Sequence, residues 1–195
     1  RTPEYVTFQH VPQHPWECVR GMDKSFGYNA CSRPADFIAH DELLWLLSDI
    51  VAKGGNLLLN VGPRGVDAGI PDEQLTRLDW LAQWVGPNRD ALFGRRPWVH
   101  AGSTTGEGNS VRYTAREETV FAILANASGS ATLREVRSTA TTRVMTMGGE
   151  SLSWRDMGHG LVIDLSPSTS NPAPTVIAMH HVQAQIAKTT GAITG

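Results

Sequence analysis

Polar side chains border two short apolar runs in the N-terminal half of the chain. Glu17 lies within the run that begins at Trp16, and Arg20 follows the last apolar residue of that run. Asn60 lies within the run 56–61. An arginine directly after a strand can donate paired hydrogen bonds to substrate oxygens, although a surface ion pair explains it as well. Asn60 can bind a ligand or be tied to neighbouring backbone groups. These side chains are the first candidates for binding an oxygen-rich substrate.

Aromatic side chains occur in the same part of the sequence. They are Trp16, Phe26 and Tyr28. An aromatic ring can pack against the apolar face of a sugar ring, and core packing explains each of the three equally well. Both interpretations stay open at this point.

A strand, a long loop, a helix and a second strand must position these residues. Trp16 begins a short predicted strand, and residues 21–40 contain turn residues without a period, which predicts a long loop. Leucines and an isoleucine at helical spacing predict a helix from Asp41 to about Lys53. The run 56–61 is too short for a helix and so apolar that we expect a parallel strand buried on both faces. Helix, glycine turn and buried strand are typical of a (β/α) barrel, whose active site lies at the C-terminal ends of its strands.

A second helix is predicted from Pro71 to Gly86-Pro87, because proline is favoured at a first helical position and glycine with proline ends a helix. Its predicted apolar stripe consists of Leu75, Leu78, Leu81 or Ala82, and Val85.

After Pro97 the sequence changes to short β-rich runs separated by glycine, serine, asparagine and proline. The runs are 111–114, 119–124, 141–147, 161–165 and 175–179. Short repeated strands of this kind predict an antiparallel β-sandwich. We therefore expect an α/β part over residues 1–96, a β-sandwich domain over 97–182 and a disordered tail over 183–195.

Composition excludes several partners. The formal net charge is −2, charged residues make up 18% and the pI is near 6.4, so we expect neither nucleic acid nor an anionic membrane as a partner. No apolar run reaches the roughly 18 residues that span a bilayer, which predicts a soluble protein of open localisation. Cys18 and Cys31 are expected to be ordinary thiols, and no metal site is predicted.

Three motifs follow one another along the sequence. They are Trp16-Glu17-Cys18-Val19-Arg20-Gly21, Ser25-Phe26-Gly27-Tyr28-Asn29 and the segment from Lys53 to Pro63. In this order they resemble the α-L-fucosidases of glycoside hydrolase family 29. The segments 70–72 and 92–98 are similar to the part of that family that leads from the last barrel helix into its C-terminal sandwich. The resemblance implies the C-terminal part of a (β/α)8-type barrel followed by the sandwich. A closed barrel needs about 250 residues, so this chain alone cannot form one and we expect it to be inactive by itself.

The family resemblance also implies a mechanism with two carboxyl groups about 5–5.5 Å apart, one a nucleophile and the other an acid and then a base. The nucleophile of the family belongs to an Asn-Asp-Arg-Trp-like motif, which this chain lacks. Arg20 resembles the family's substrate-contacting arginine. Ser32 stands where some members have the acid/base glutamate, and a serine hydroxyl cannot act as that acid near neutral pH. Glu17 and Asp36 are the nearby acid/base candidates, and burial would have to raise the pKa of either one.

The predicted function is hydrolysis of terminal α-L-fucosyl linkages, with a fucosylated glycan or glycoside as the substrate and without a cofactor. The alternatives are a carbohydrate-binding module or a catalytically dead fucose-binding protein, the second of which Ser32 favours. The sequence does not fix the oligomeric state.

Overall fold

The computed structural model describes residues 4–5, 7–165 and 173–185. It contains two α-helices, α1 (His40–Ala52) and α2 (Asp72–Leu92), and a short 3-10 helix at Pro34–Asp36. The strands are β1 (Trp16–Arg20), β2 (Gly55–Leu59), β3 (Arg96–Thr104), β4 (Ser110–Arg116), β5 (Thr119–Leu124), β6 (Ser130–Leu133), β7 (Val136–Arg137), β8 (Arg143–Thr146), β9 (Trp154–Asp156), β10 (Leu161–Asp164), β11 (Thr175–His180) and β12 (Gln183–Ala184).

The N-terminal part is a parallel β1–α1–β2 unit. Trp16 pairs with Gly55 and Arg20 with Leu59, and Glu4 forms a parallel bridge to Val19 on the other edge of β1. α1 forms because its leucines and Ile50 recur on one face, and the positive φ of 73° at Gly54 allows the chain to turn directly into β2. The helix covers the face of the sheet that carries Trp16 and Cys18. Both strands therefore end at the same edge, beside the loop that follows β1.

The prediction that the second strand is buried on both faces was wrong. Leu58 is 41% exposed, and Asn56 is also exposed. Among the described residues β2 pairs with β1 alone, and α1 covers only one face of the pair. An apolar strand face is thus left open to solvent.

The second helix is longer than predicted and buries only part of the predicted stripe. Leu81 and Val85 are partly buried against the cluster that contains Trp84. α2 continues through Gly86 and Pro87 to Leu92. Trp84, Ala91 and Leu92 pack in one cluster against the sheet, and this packing outweighs the local cost of proline. Leu75, which was expected on the buried stripe, is 43% exposed. The buried side chains of the helix are Gln74, Arg77, Trp84, Ala91 and Leu92.

The remaining strands form antiparallel sheets around a shared core. A five-stranded sheet has the order β3-β4-β5-β11-β8, and a three-stranded sheet has the order β6-β10-β9. Side chains from both sheets, including Tyr113 and Ile163, lie in one buried cluster. The opposite face of the larger sheet packs through Phe121 and Val176 against Trp84 of α2 and Leu44 of α1. The antiparallel part therefore carries the helical part on its outer face.

The five β-rich runs found in the sequence all contain strands, which are β4, β5, β8, β10 and β11. β12 pairs with β7, so a disordered tail does not begin at residue 183, and residues 186–195 lie outside the described part. β3 begins at Arg96, beside the predicted domain boundary, which stays a prediction. Within the described ranges, no helix is both long and apolar enough to cross a membrane.

Candidate functional site

The end of β2 is hydrogen-bonded to the end of β1 and to the loop that follows it. The backbone N–H of Asn60 donates to the Arg20 oxygen over 2.8 Å, and the Asn60 side-chain Nδ2 donates to the Phe26 oxygen over 2.5 Å. Gly62 lies so close to this loop that an added Cβ would stand 2.5 Å from the Tyr28 nitrogen, so only glycine is accommodated there. Asn60 therefore has a structural role at the edge where both strands end.

A buried carboxylate inside this loop was missed by the sequence analysis. Asp23 is only 6% exposed. Its Oδ1 accepts a bond from the Ser25 backbone N–H over 2.9 Å, and its Oδ2 accepts one from the Ser32 hydroxyl over 2.5 Å. The spacing Asp23-Lys24-Ser25 is that of an Asx turn, which is the signal that could have identified it. Asp23 thus connects the start of the loop to Ser32.

Phe26 and Tyr28 project from the loop surface, with exposed fractions of 44% and 45%. Tyr28 also lines a cavity of about 200 Å³ together with Asp23, Ser32 and Gln74. Gln74 at the start of α2 accepts a hydrogen bond from the Gly62 N–H over 2.8 Å, which ties α2 to the segment after β2. An exposed tyrosine at a polar cavity, with a second exposed ring on the same loop, can contact the apolar face of a sugar.

Arg20 is half-buried at the strand end. Its Nε donates to the Gly21 oxygen over 3.0 Å, and its guanidinium lies 5.2 Å from the centre of the Tyr5 ring. The Tyr5 hydroxyl in turn accepts a bond from the Gly21 N–H over 3.1 Å. These contacts orient the arginine and occupy only one of its five N–H donors. The other N–H groups of the guanidinium can therefore donate to a ligand.

Trp16 does not suit the sugar-stacking role that was predicted for it. It is 3% exposed, and its Nε1 donates to the Lys53 oxygen over 3.1 Å. Its ring contacts Phe8 edge-to-face at 4.9 Å, and Gly55 lacks a Cβ where the indole passes. Burial of this large ring against α1 and β2 makes it a core residue.

Asp36 is poorly suited to be a general acid. Arg33 and Lys24 both donate to its carboxylate, at 3.1 Å each. The hydrogen bonds from Arg33, followed by that from Lys24, hold the pKa of Asp36 far below the ordinary carboxyl value. A catalytic acid needs the opposite shift, since it must hold its proton near neutral pH. The lowered pKa therefore disfavours Asp36 as the acid/base, and that role stays a prediction.

Glu17 lies within β1, opposite Asn56, and is half-buried. It precedes Arg20 by three positions, and at about 3.3 Å per strand residue it stands roughly 10 Å below the strand end. The structure therefore brings together Arg20, Phe26, Tyr28 and Asn60 at one edge, whereas Glu17 is lower in the strand.

In the described part of the chain, no group of three or more His, Cys, Asp or Glu residues could hold a metal ion.

Comparisons with known proteins agree with this arrangement. The α-L-fucosidase family model matches residues 1–90. An α-L-fucosidase of Branchiostoma floridae is 33% identical over 84% of this chain and 37% of the relative, and the tissue α-L-fucosidase of Bos taurus is 32% identical over 86% and 36%. The crystal structure of Thermotoga maritima α-fucosidase with a mechanism-based inhibitor matches with a TM-score of 0.80 at 32% identity, covering 92% of this chain and 42% of that one.

The chain thus spans little more than a third of the length of these curated relatives. The match extends beyond the parallel unit into the antiparallel sheets, since the aligned share exceeds the region that the family model covers. Sequence similarity and backbone similarity therefore point to the same family over both parts. Over most of its length the chain is therefore similar to proteins of the α-L-fucosidase family.

Proposed function

We propose that the protein to which this chain belongs is a retaining exo-glycosidase that hydrolyses terminal α-L-fucosyl linkages of glycans. The observation that carries the proposal is the similarity to α-L-fucosidases over 84% of the chain, including the loop at the ends of β1 and β2. The Thermotoga maritima relative has also been crystallised with fucose, so a fucosyl group is the natural first substrate to test.

In this proposal residues 1–96 are the C-terminal part of a (β/α)8-type barrel and residues 97–182 are a β-sandwich domain. Support for the barrel comes from the parallel β1–α1–β2 crossover and from the parallel bridge between Glu4 and Val19. Support for the sandwich comes from the two antiparallel sheets that share one core. The open face of Leu58 is where the rest of a barrel would pack.

The chain contributes the substrate-binding edge. Arg20 would donate to the sugar oxygens, and Phe26 and Tyr28 would contact its apolar face. Asp36 is held ionised and Glu17 is too far below the strand end, so neither suits the acid/base role. We infer that the nucleophile comes from residues outside this chain, which lacks the Asn-Asp-Arg-Trp-like motif.

The nucleophile would displace the aglycone while the acid protonates the departing glycosidic oxygen, which leaves a fucosyl-enzyme bond. Water, deprotonated by the same group acting as a base, would then displace the enzyme carboxylate and release fucose with net retention.

The test is hydrolysis of an aryl α-L-fucoside by the full-length protein, with the anomer of the first product followed by NMR. We expect the α-anomer and a fall in kcat/KM of at least tenfold for Arg20→Ala, equivalent to about 1.4 kcal/mol. Arg155→Ala is the matched control, because Arg155 is 58% exposed in a surface ion pair on β9. Initial release of the β-anomer, or an unaffected Arg20→Ala protein, would contradict the proposal.

A catalytically dead fucose-binding protein is the second candidate, and Ser32 favours it. In that case the full-length protein binds fucose without turnover. Asp23 would repel a glutamate introduced at position 32, because its carboxylate lies 2.5 Å from the Ser32 hydroxyl. The informative variant is therefore Ser32→Glu combined with Asp23→Asn, compared with Asp23→Asn alone. Turnover gained only in the double variant would support the dead-protein interpretation.

A further inference from the structure

A second cavity lies far from the β1 loop in the fold. Its volume is about 330 Å³, and it lies between the C-terminal end of α2 and the outer face of the five-stranded sheet. It shares no lining residue with the cavity beside Tyr28. Its size is at the lower end of the roughly 300–1,000 Å³ found for small-molecule sites.

Arg95 is the central charged residue of this cavity. Its side chain is only 3% exposed, and its Nη1 has no hydrogen-bond partner among the described residues. The Nε donates to the Asp90 backbone oxygen, and the guanidinium lies 5.0 Å from the centre of the Phe121 ring. A buried guanidinium hydrogen without an acceptor costs free energy, and an acceptor placed in the cavity would remove that cost.

Further donors line the same cavity. Arg116 is one, and its positive charge, after burial, lowers the pKa of Arg95. Thr119 and His180 also line the cavity and are joined by a hydrogen bond of 3.0 Å between Oγ1 and Nδ1, so with a neutral imidazole this pair supplies one further donor. Two guanidinium groups close enough to interact, with a hydroxyl and an imidazole beside them, are a typical environment for an oxyanion.

Two carboxylates balance the two guanidinium charges of the cavity, but both are far more exposed to solvent than Arg95. Asp90 is 70% exposed and stands 3.6 Å from Arg95, a distance too long for a good hydrogen bond. Glu117 is 81% exposed and stands 3.6 Å from Arg116. Both ion pairs are weak because water screens them. An incoming anion can therefore take the place of either carboxylate beside its arginine.

Apolar side chains complete the wall. Phe121, Met145 and Met147 also line the cavity, and the Phe121 ring lies against the Arg95 guanidinium. The two methionines are half-buried, and their adaptable side chains can pack against an apolar face. The wall therefore suits a ligand that carries carbon atoms as well as a charge.

We propose that this cavity is a binding site for a small organic oxyanion, with a carboxylate or sulfate group placed against Arg95 and Arg116 and an apolar face against Met145 and Met147. The site is separate from the fucoside-binding edge, and its occupation does not depend on the proposed hydrolase activity. A carboxylate and a sulfate share the required chemistry, and the probes distinguish them.

The test is titration calorimetry of the full-length protein at low salt with glucuronate, with a monosaccharide sulfate and with glucose as the neutral counterpart. We expect binding of at least one anion, no binding of glucose and an affinity at least tenfold lower in Arg116→Gln. Arg116 is 55% exposed, so this variant leaves the fold intact. Arg155→Gln, with the same charge change at a 58% exposed arginine on the other sheet, is the matched control.

Arg95→Gln tests the buried group, with near-ultraviolet circular dichroism as the check that the fold is retained. If that variant unfolds, Arg116→Gln decides alone. Binding of glucuronate only, of the sulfate only or of both, lost in Arg116→Gln, supports the site and identifies the group. Equal binding of glucose, binding unchanged in Arg116→Gln, or no binding at millimolar anion overturns it.

Discussion

The Asn60 side chain donates to the backbone oxygen of Phe26, and this bond joins the end of β2 to the loop that follows β1. The two residues are 34 positions apart, so the bond fixes a long loop at a point where no helix or strand supports it. Phe26 and Tyr28 are held at the strand ends as a result.

Asn60→Ala in the full-length protein should loosen this loop without unfolding the sheet. A bond of this kind contributes about 0.5–1.5 kcal/mol, so kcat/KM for an aryl α-L-fucoside should fall up to about tenfold. Amide hydrogen exchange of residues 26–29 should accelerate, whereas β1 should stay protected. Gln83→Ala, at an exposed position of α2, is the control. Exchange rates equal to wild type would show that the bond does not hold the loop.

Asp36→Asn should lower thermal stability at neutral pH, with an effect that disappears in acid. Arg33 and Lys24 lower the pKa of Asp36 in the folded chain, so its stabilising contribution is complete above the unfolded carboxyl pKa of about 3.9 and is lost as the pH falls further. The Tm difference between wild type and Asp36→Asn should therefore shrink from about pH 5 to about pH 2. Added salt should reduce it as well, because Lys24 and Arg33 are 80% and 78% exposed.

Asp79→Asn, on the exposed face of α2, is the control for that experiment. A Tm difference that does not change with pH would mean that the ion pairs of Asp36 contribute nothing. The Asp36→Asn variant of the full-length protein should retain turnover of an aryl fucoside, since an aspartate held ionised is not the acid.

Asp49 is the shared partner of two cations between α1 and β4. Its carboxylate lies 2.6 Å from Lys53 Nζ and 2.5 Å from Arg112 Nε, and its side chain is 10% exposed. Asp49→Ala leaves both cations without their partner, and we expect a loss of about 3–5 kcal/mol in the free energy of unfolding by urea. Asp164→Ala, which removes a 48% exposed partner of Arg155, should cost less than about 1 kcal/mol. Equal losses would mean that the Asp49 cluster is solvated in solution.

The sequence predicted elements well wherever local patterns decide them. α1 begins within one residue of its predicted start, because its apolar spacing and Gly54-Gly55 are local signals. The end of α2 was not predictable, because the packing of Ala91 and Leu92 against the sheet keeps the helix going beyond Pro87. Asn88 Nδ2 also donates to the Trp84 oxygen over 2.8 Å in the turn that proline weakens.

The candidate site was also only partly predictable, because contacts between residues far apart in the sequence decide much of it. Arg20 and Asn60 were found because they border apolar strands. The burial of Trp16 depends on Phe8 and α1, and the pairing of Asp36 depends on how the loop folds, neither of which a residue type reveals. The short bond between Asp23 and Ser32 joins two residues of a loop without periodicity, so pattern analysis had no signal for it.

Trp84 should be the main attachment of α2 to the five-stranded sheet. It is 7% exposed, packs with Phe121 and Val176, and donates from Nε1 to the Pro174 oxygen over 2.9 Å. Trp84→Ala should cost about 3–5 kcal/mol in urea unfolding, and Trp84→Phe, which keeps most of the packing, should cost less. Trp80→Phe, at a half-buried site of the same helix, is the control. If Trp84→Ala costs under about 1 kcal/mol, α2 is held elsewhere.

The isolated chain should associate through the open face and edge of β2. Leu58 is 41% exposed in a strand that has one neighbour among the described residues, so apolar surface and unpaired backbone groups lie together. Leu58→Lys should shift light-scattering masses toward the monomer at a given concentration, because a buried lysine at a strand interface is costly. Val66→Lys adds the same charge at a residue that is 90% exposed in the segment between β2 and α2, and it should leave association unchanged. If both lysines act equally, net charge and not the strand face controls association, and the open face would then have no special role in solution.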